Sequence, residues 1–172
     1  MDLAKRFAAG DLDAFEALFR EHQRNVYRWI VRIVRDPAAA EDLTIEAFWR
    51  MYRARARFDA SGNCAAWLRR IAVNVAIDHL RRVKPMGQLP ENLPAAPAGD
   101  RAVDSETRIA IQRALAELSP RLRVVVQLGL IEEEPYQEIA GALGISVNAV
   151  KVRMFRGIRL LRQKLVEARI TP

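Results

Sequence analysis

The sequence predicts an all-α protein: two small helical domains joined by a flexible Pro-rich linker, the C-terminal one a helix-turn-helix. Three observations carry this. Apolar residues recur at spacings of three and four through most of the chain, and no stretch alternates apolar and polar residues as a half-buried strand would. Residues 85–104, PMGQLPENLPAAPAGDRAVD, break that period with four prolines and two glycines. Proline disfavours helix in the residue before it, so an extended linker is expected there between units 1–84 and 105–172. The third observation is the stretch 135–165, PYQEIAGALGISVNAVKVRMFRGIRLLRQKL, two amphipathic segments around a glycine followed by a capping serine.

In the first unit, Asp11 or Asp13 can start a helix in which Phe15, Leu18, Phe19, His22, Val26, Ile30 and Ile33 recur at helical spacing to about residue 35. Asp36 and Pro37 make a fresh start. The helix over 37–56 has an acidic first half (Glu41, Asp42, Glu46), an aromatic second half (Phe48, Trp49, Tyr52), and then Arg53, Arg55 and Arg57. Residues 58–66, FDASGNCAA, read as a loop. A third helix over 67–83, WLRRIAVNVAIDHLRRV, has one apolar flank of Leu68, Ile71, Ala72 and Val75 and another of Val73, Ile77 and Leu80. Between them, at helical spacing, fall Trp67, Arg70, Asn74, Asp78 and Arg81. Such a strip can present Arg and Asn to nucleic acid, with Trp67 free to stack; alternatively Trp67 anchors the core, and Asn74 and Asp78 satisfy local groups.

The second unit opens with a helix over 105–118, continues with Ser119 and Pro120 as a cap and first-turn pair, and runs through Arg121, Val124, Val125, Leu128 and Leu130. A helix over 135–142 follows, with Ile139, Ala140 and Leu143 inward, and Gly144 stops it. Ser146 caps the last helix, while Ile145 and Val150 pack inward. That leaves Val147, Asn148 and Lys151 outward, and Asn carries the paired donor and acceptor that match an adenine edge in the major groove. Lys151, Arg153, Arg156, Arg159, Arg162 and Lys164 form a run without an acidic residue, which suits phosphates. The competing reading is a solvated helix closing a bundle through Val150, Met154, Ile158 and Leu161.

Composition narrows the classes. With 51% hydrophobic and 28% charged residues the chain is expected to be ordered and soluble, and a net charge of +7 favours a polyanionic partner. The single cysteine, Cys64, excludes an internal disulfide or a multi-cysteine zinc site, and His22 and His79 are too few and too far apart to rebuild one. No cofactor or metal is expected. Glu41, Asp42 and Glu46 lack a second ligand set, so an exposed acidic face is the better reading. No apolar run approaches a membrane span and the N-terminus MDLAKRFAAGDLDAF lacks an export pattern, so a cytoplasmic location without membrane insertion is expected.

The layout resembles that of extracytoplasmic-function sigma factors of bacterial RNA polymerase, in the sigma-70 superfamily. DPAAAEDLTIEAFWRMYRA (36–54) is similar to the family's polymerase-clamp-binding helix, and WLRRIAVNVAIDHLRR (67–82) to its melting and minus-ten helix. ALAELSPRLRVVVQL with YQEIAGALGISVNAVKVRMFRGIRLLRQKL resembles its fourth region. The resemblance implies a dissociable initiation subunit with no catalytic residue, which binds the clamp helices and flap of core RNA polymerase, recognises promoter DNA at two elements and helps open it. It implies an anti-sigma partner. By position, Asp42, Ile45, Glu46 and Trp49 would face the clamp helices. Ser61, Gly62, Asn63, Trp67, Arg70, Asn74, Arg81 and Arg82 would handle the minus-ten element, and Ser146, Val147, Asn148, Lys151, Arg153 and Arg156 the minus-thirty-five element.

Four positions depart from the family pattern. Ile45 stands in place of a common glutamine, Cys64 in place of a Phe, and Val152 and Phe155 in place of the usual Ser and His. Two other classes compete: an autonomous helix-turn-helix repressor or activator whose N-terminal bundle dimerises or senses a ligand, and an RNA-binding helical protein. The acidic-aromatic helix and the 67–82 helix discriminate against the first, and the scarcity of aromatics arranged for stacking against the second.

Overall fold

The structure, a computed structural model of the 172-residue chain, describes residues 3–83 and 105–170. The predicted linker, 85–104, lies outside the described residues. All regular structure among the described residues is helical, and contacts divide it into two compact units, built chiefly on the first four and the last four α-helices. None of these helices is long and apolar enough to cross a membrane.

The N-terminal unit begins with α1 (Leu3–Ala8), which periodicity does not predict because six residues are too few to show a period. Its buried Phe7 sits among Phe15, Phe58 and Trp67, with ring centroids 5.9–6.5 Å away. Of the two candidate starters of α2 (Leu12–Val34), Asp11 is the cap: its Oδ1 accepts from the amides of Asp13 (2.9 Å) and Ala14 (3.1 Å). Arg6 Nε donates to the other carboxylate oxygen at 2.7 Å, which holds the Asp11 carboxyl below the usual range. Leu18, His22, Val26, Ile30 and Ile33 of the predicted stripe are buried, and Phe15 and Phe19 pack half-buried against Phe48.

Arg35 turns the chain in a left-handed conformation (φ 59°), and Asp36 caps α3 (Pro37–Arg53) by accepting from the Ala39 amide at 3.1 Å. The helix tightens at its end into a 3-10 turn, Arg55–Arg57, which brings Phe58 into the core. The next helix, α4 (Cys64–Arg82), starts three residues before the expected Trp67. Asn63 is the reason: its Oδ1 accepts from the Ala66 amide at 3.1 Å, so the end of the expected loop forms the first helical turn. Leu68, Ala72, Val73, Val75, Ala76 and Ile77 are buried, so both apolar flanks pack.

The C-terminal unit contains α5 (Ser105–Ala116), α6 (Pro120–Val126), α7 (Tyr136–Leu143) and α8 (Val147–Ile170). Ser119 makes no side-chain cap bond, contrary to expectation; the Pro120 ring sets the start alone, because it fixes φ and brings no donor to satisfy. After α6 the helix widens into a π turn, Gln127–Ile131. Within it Gln127 and Leu128 are buried while Leu130 is 51% exposed. Gly144 ends α7 with φ +65°, a conformation that favours glycine. On α8, a Cβ at Gly157 would stand 2.3 Å from Val126 Cγ2, so α8 lies nearer α6 than a side chain at that position permits.

Candidate nucleic-acid interface

On the C-terminal unit the helix start is built as expected: Ser146 Oγ accepts from the Ala149 amide at 3.1 Å. Val150, Met154, Gly157 and Leu161 are buried and Ile158 half-buried, so the core stripe is real, and it leaves the opposite face of α8 outward. Asn148, Lys151 and Arg156 are exposed there; Val147 and Arg153 are half-buried. Lys164 departs from the expected phosphate-facing run. Its Nζ lies 2.6 Å from Glu117, in the turn that follows α5, and 3.8 Å from Glu167, and the Glu117 carboxylate raises its pKa. Lys164 therefore fastens α8 to that turn, through a tertiary neighbour that no local pattern reveals.

On the N-terminal unit, the 59–63 loop is held by its own polar groups. Asp59 Oδ1 accepts from the Ser61 amide at 2.9 Å and from the Ser61 hydroxyl at 2.6 Å. Those two bonds hold the Asp59 carboxyl below the usual carboxylate range. Ser61 and Asn63 thus each spend one side-chain oxygen on the loop and cap, while Ser61, Gly62 and Asn63 stay exposed to solvent. Cys64 is half-buried beneath, and burial, with the Glu21 charge adding, pushes its thiol pKa up.

Trp67 packs its ring on Phe58 (4.7 Å) and Phe7 (6.5 Å) and remains half-buried. It is a wall of the aromatic core with part of one surface open. Arg70, Asn74, Arg81 and Arg82 are exposed along α4. Asp78 of the same strip is drawn toward α3, where Arg50 Nη1 donates to its Oδ2 at 2.8 Å. The Arg50 Nε donates to Glu46 at 2.7 Å, and the two carboxylates raise the Arg50 pKa, Asp78 most.

That leaves a continuous outward face on α3. Asp42 is exposed, Ile45 is 61% exposed, Trp49 is 55% exposed, and Glu46 is half-buried beside its Arg50 partner. Trp49 stacks on Tyr52 at 6.3 Å, and Tyr52 meets Phe15 edge-on at 5.2 Å with the Arg55 guanidinium over its ring. The indole is therefore held from beneath while its outer surface faces water, an arrangement suited to an aromatic anchor in a partner's pocket.

Sequence reasoning missed three contributors. Arg50 joins two of the predicted surfaces, Asp59 organises the loop, and Phe7 underlies Trp67. The Asp-x-Ser spacing at 59–61 carries a recognisable turn signal; the other two depend on tertiary contact. Among the described residues no cluster of His, Cys, Asp and Glu is arranged to hold a metal ion.

Comparison with known proteins places these surfaces in context. Residues 18–85 match the Sigma-70 region 2 family and residues 108–161 the Sigma-70, region 4 family. The chain is 35% identical over 166 residues to the RNA polymerase sigma factor CarQ of Myxococcus xanthus, covering 95% of each chain. It is 35% identical to the ECF RNA polymerase sigma factor SigE of Mycolicibacterium smegmatis, covering 93% of this chain and 66% of that one. Among solved structures it is similar to CnrH in complex with the cytosolic domain of CnrY, at 27% identity, 96% coverage of both chains and a TM-score of 0.59.

Proposed function

We infer, on the premise that this chain belongs to the extracytoplasmic-function group of the sigma-70 family, that it is an alternative sigma factor which binds core RNA polymerase, directs it to specific promoters and assists their opening. The carrying observation is the pair of family matches, region 2 over α2–α4 and region 4 over α5–α8, in that order along one chain. An autonomous operator-binding regulator has no need of the region 2 helices.

In this reading residues 1–84 form the docking and minus-ten unit, 85–104 the linker and 105–172 the minus-thirty-five unit. Asp42, Ile45, Glu46 and Trp49 dock on the clamp helices, with Trp49 as the apolar anchor and the acidic groups setting orientation. The C-terminal unit meets the flap. Opening a duplex costs stacking and pairing, which the protein offsets by holding an unstacked base at the Ser61-Gly62-Asn63 loop beside the open surface of Trp67. A loop already tied by Asp59 and the Asn63 cap has less freedom to lose when the base arrives. Arg70, Asn74, Arg81 and Arg82 line α4 for the minus-ten strand. Ser146, Val147, Asn148, Lys151, Arg153 and Arg156 present the start of α8 to the upstream groove, with Asn148 reading a base edge and the cations holding phosphates.

The work is binding throughout, so no catalytic residue is assigned and the chain is read as a non-enzyme acting in the cytoplasm with its polymerase. CnrH was solved with the cytosolic domain of CnrY; by analogy an anti-sigma protein covers polymerase-facing surfaces of this chain until release. Run-off transcription with core polymerase on a genomic promoter library tests the reading. Promoter-dependent transcripts that appear only with the chain present support it; a chain that fails to bind core polymerase, or binds without such transcripts, overturns it.

A further inference from the structure

We propose that Arg50 is a positioning residue that couples polymerase docking on α3 to minus-ten strand binding on α4. The inference rests on those two assignments. Arg50 stands one turn after Glu46 on α3, and its guanidinium crosses to the neighbouring helix: Nε donates to Glu46 Oε1 at 2.7 Å and Nη1 to Asp78 Oδ2 at 2.8 Å. The two carboxylates belong to different surfaces. Glu46 sits on the docking face, with Asp42 one turn before it and Trp49 one turn after, whereas Asp78 ends the row Arg70, Asn74, Asp78 at four-residue spacing along α4. All three side chains of the bridge are half-buried, so the pairs are partly shielded from the water and salt that weaken a fully exposed pair.

A guanidinium is a rigid plane whose donors keep fixed directions. A rotation that improves one of these bonds therefore moves the other, and the two carboxylates compete for one cation. In the free chain that cation is shared. When polymerase meets the acidic face of α3, complementary groups on the partner take up Glu46 and loosen its hold on Arg50. The guanidinium then serves Asp78 more fully, drawing α4 against α3 and fixing the Arg70 and Asn74 row. A row already fixed loses less freedom when the single strand arrives, so core enzyme and the minus-ten strand each strengthen the other's binding by the same factor. Half-exposed ion pairs limit that factor to roughly fivefold. Arg50 itself touches neither partner and acts through the two carboxylates.

The experiment measures the core-polymerase affinity of the full chain, labelled at its N-terminus, with and without a saturating single-stranded oligonucleotide. That probe carries the minus-ten strand of a promoter recovered in run-off transcription. The ratio of the two affinities is the coupling, and any change that weakens the oligonucleotide equally with and without core cancels from it. Arg50→Gln and Asp78→Asn should each lower the wild-type ratio by roughly fivefold, and the double variant should lower it no further, since both remove one bridge. Arg20→Gln, which removes the same charge from the exposed Arg20–Glu16 pair on α2, should keep the wild-type ratio. A brace with no coupling role would lower the melting temperature and leave the ratio alone. A wild-type ratio of one, or an unchanged ratio in either single variant with core and oligonucleotide still bound, overturns the coupling while leaving the sigma reading standing. A wild-type chain that does not bind core overturns that reading, and this proposal with it. Asp78→Asn is nearly isosteric, so loss of folding in both single variants would make the bridge purely structural and overturn the coupling as well.

Discussion

Asn148 and Arg156 stand on the same helix and are exposed, yet their chemistry predicts different failures. Asn148→Ala should relax preference at one base pair, a loss of roughly 1–3 kcal/mol of discrimination. Arg156→Ala should weaken all sequences alike and lower the salt slope by about one. Binding titrations on matched and mismatched duplexes at several salt concentrations separate the two, and equal effects on every sequence from both variants would reject Asn148 as a base reader. A second residue-scale expectation concerns acid. The Asp59 carboxyl has a folded pKa below its unfolded value, so its contribution to the loop is present above the usual carboxylate pKa and is lost as pH falls through the folded one. Amide exchange at Ser61 should therefore lose protection on acidification below about pH 4, relative to its intrinsic rate, and Asp59→Asn should move that change. Some of this was legible in advance: Ser146 and Asp36 declare themselves through cap chemistry, and the outward placement of Asn148 follows from helical spacing. Asn63 is less legible: its side chain starts a helix, and a Ser-Gly-Asn run signals a turn equally well with or without one.

At the level of helices, two effects oppose each other at Gly157. Alanine is the better helix former by about 1 kcal/mol, but its Cβ would meet Val126 at a distance that forces α6 and α8 apart. Val126 is buried and branched, so it cannot swing aside, and overpacking of this kind costs roughly 1–3 kcal/mol. Gly157→Ala should lower the melting temperature despite its propensity gain; a stabilised variant would mean that the helices adjust freely. On α3, Trp49 is supported from below and open above, so Trp49→Ala should leave the melting temperature little changed and weaken core polymerase binding by roughly 2 kcal/mol. Fluorescence-anisotropy titration with core enzyme measures it, and undiminished affinity would remove Trp49 from the docking face. The long helices were legible because their apolar stripes repeat over many turns. The features that escaped are those in which the period is too short or changes: six-residue α1, and the π turn Gln127–Ile131. Lys164 escaped for another reason, since its partner Glu117 lies in the turn after α5, far away in sequence.

Across the whole chain, two weak half-sites gain from sharing one covalent connection, which replaces a second diffusional encounter with an effective concentration of about millimolar. Separate pieces 1–84 and 105–172 should each give helical circular dichroism yet, mixed at micromolar concentration with core polymerase, fail to produce promoter-dependent transcripts. Transcription by the mixture equal to that of the intact chain would show that the connection is dispensable. The two-unit layout was readable from composition alone, since a proline-rich stretch interrupts otherwise periodic sequence; the contacts that knit each unit internally were not. The Arg50 bridge between Glu46 and Asp78 carries a lesson for anyone recombining such chains. Transplanting α3 from a relative to change polymerase preference brings positions 46 and 50 together but leaves position 78 with the host. A chimera cut between the two helices inherits half of a three-residue circuit, so position 78 belongs in the exchanged cassette.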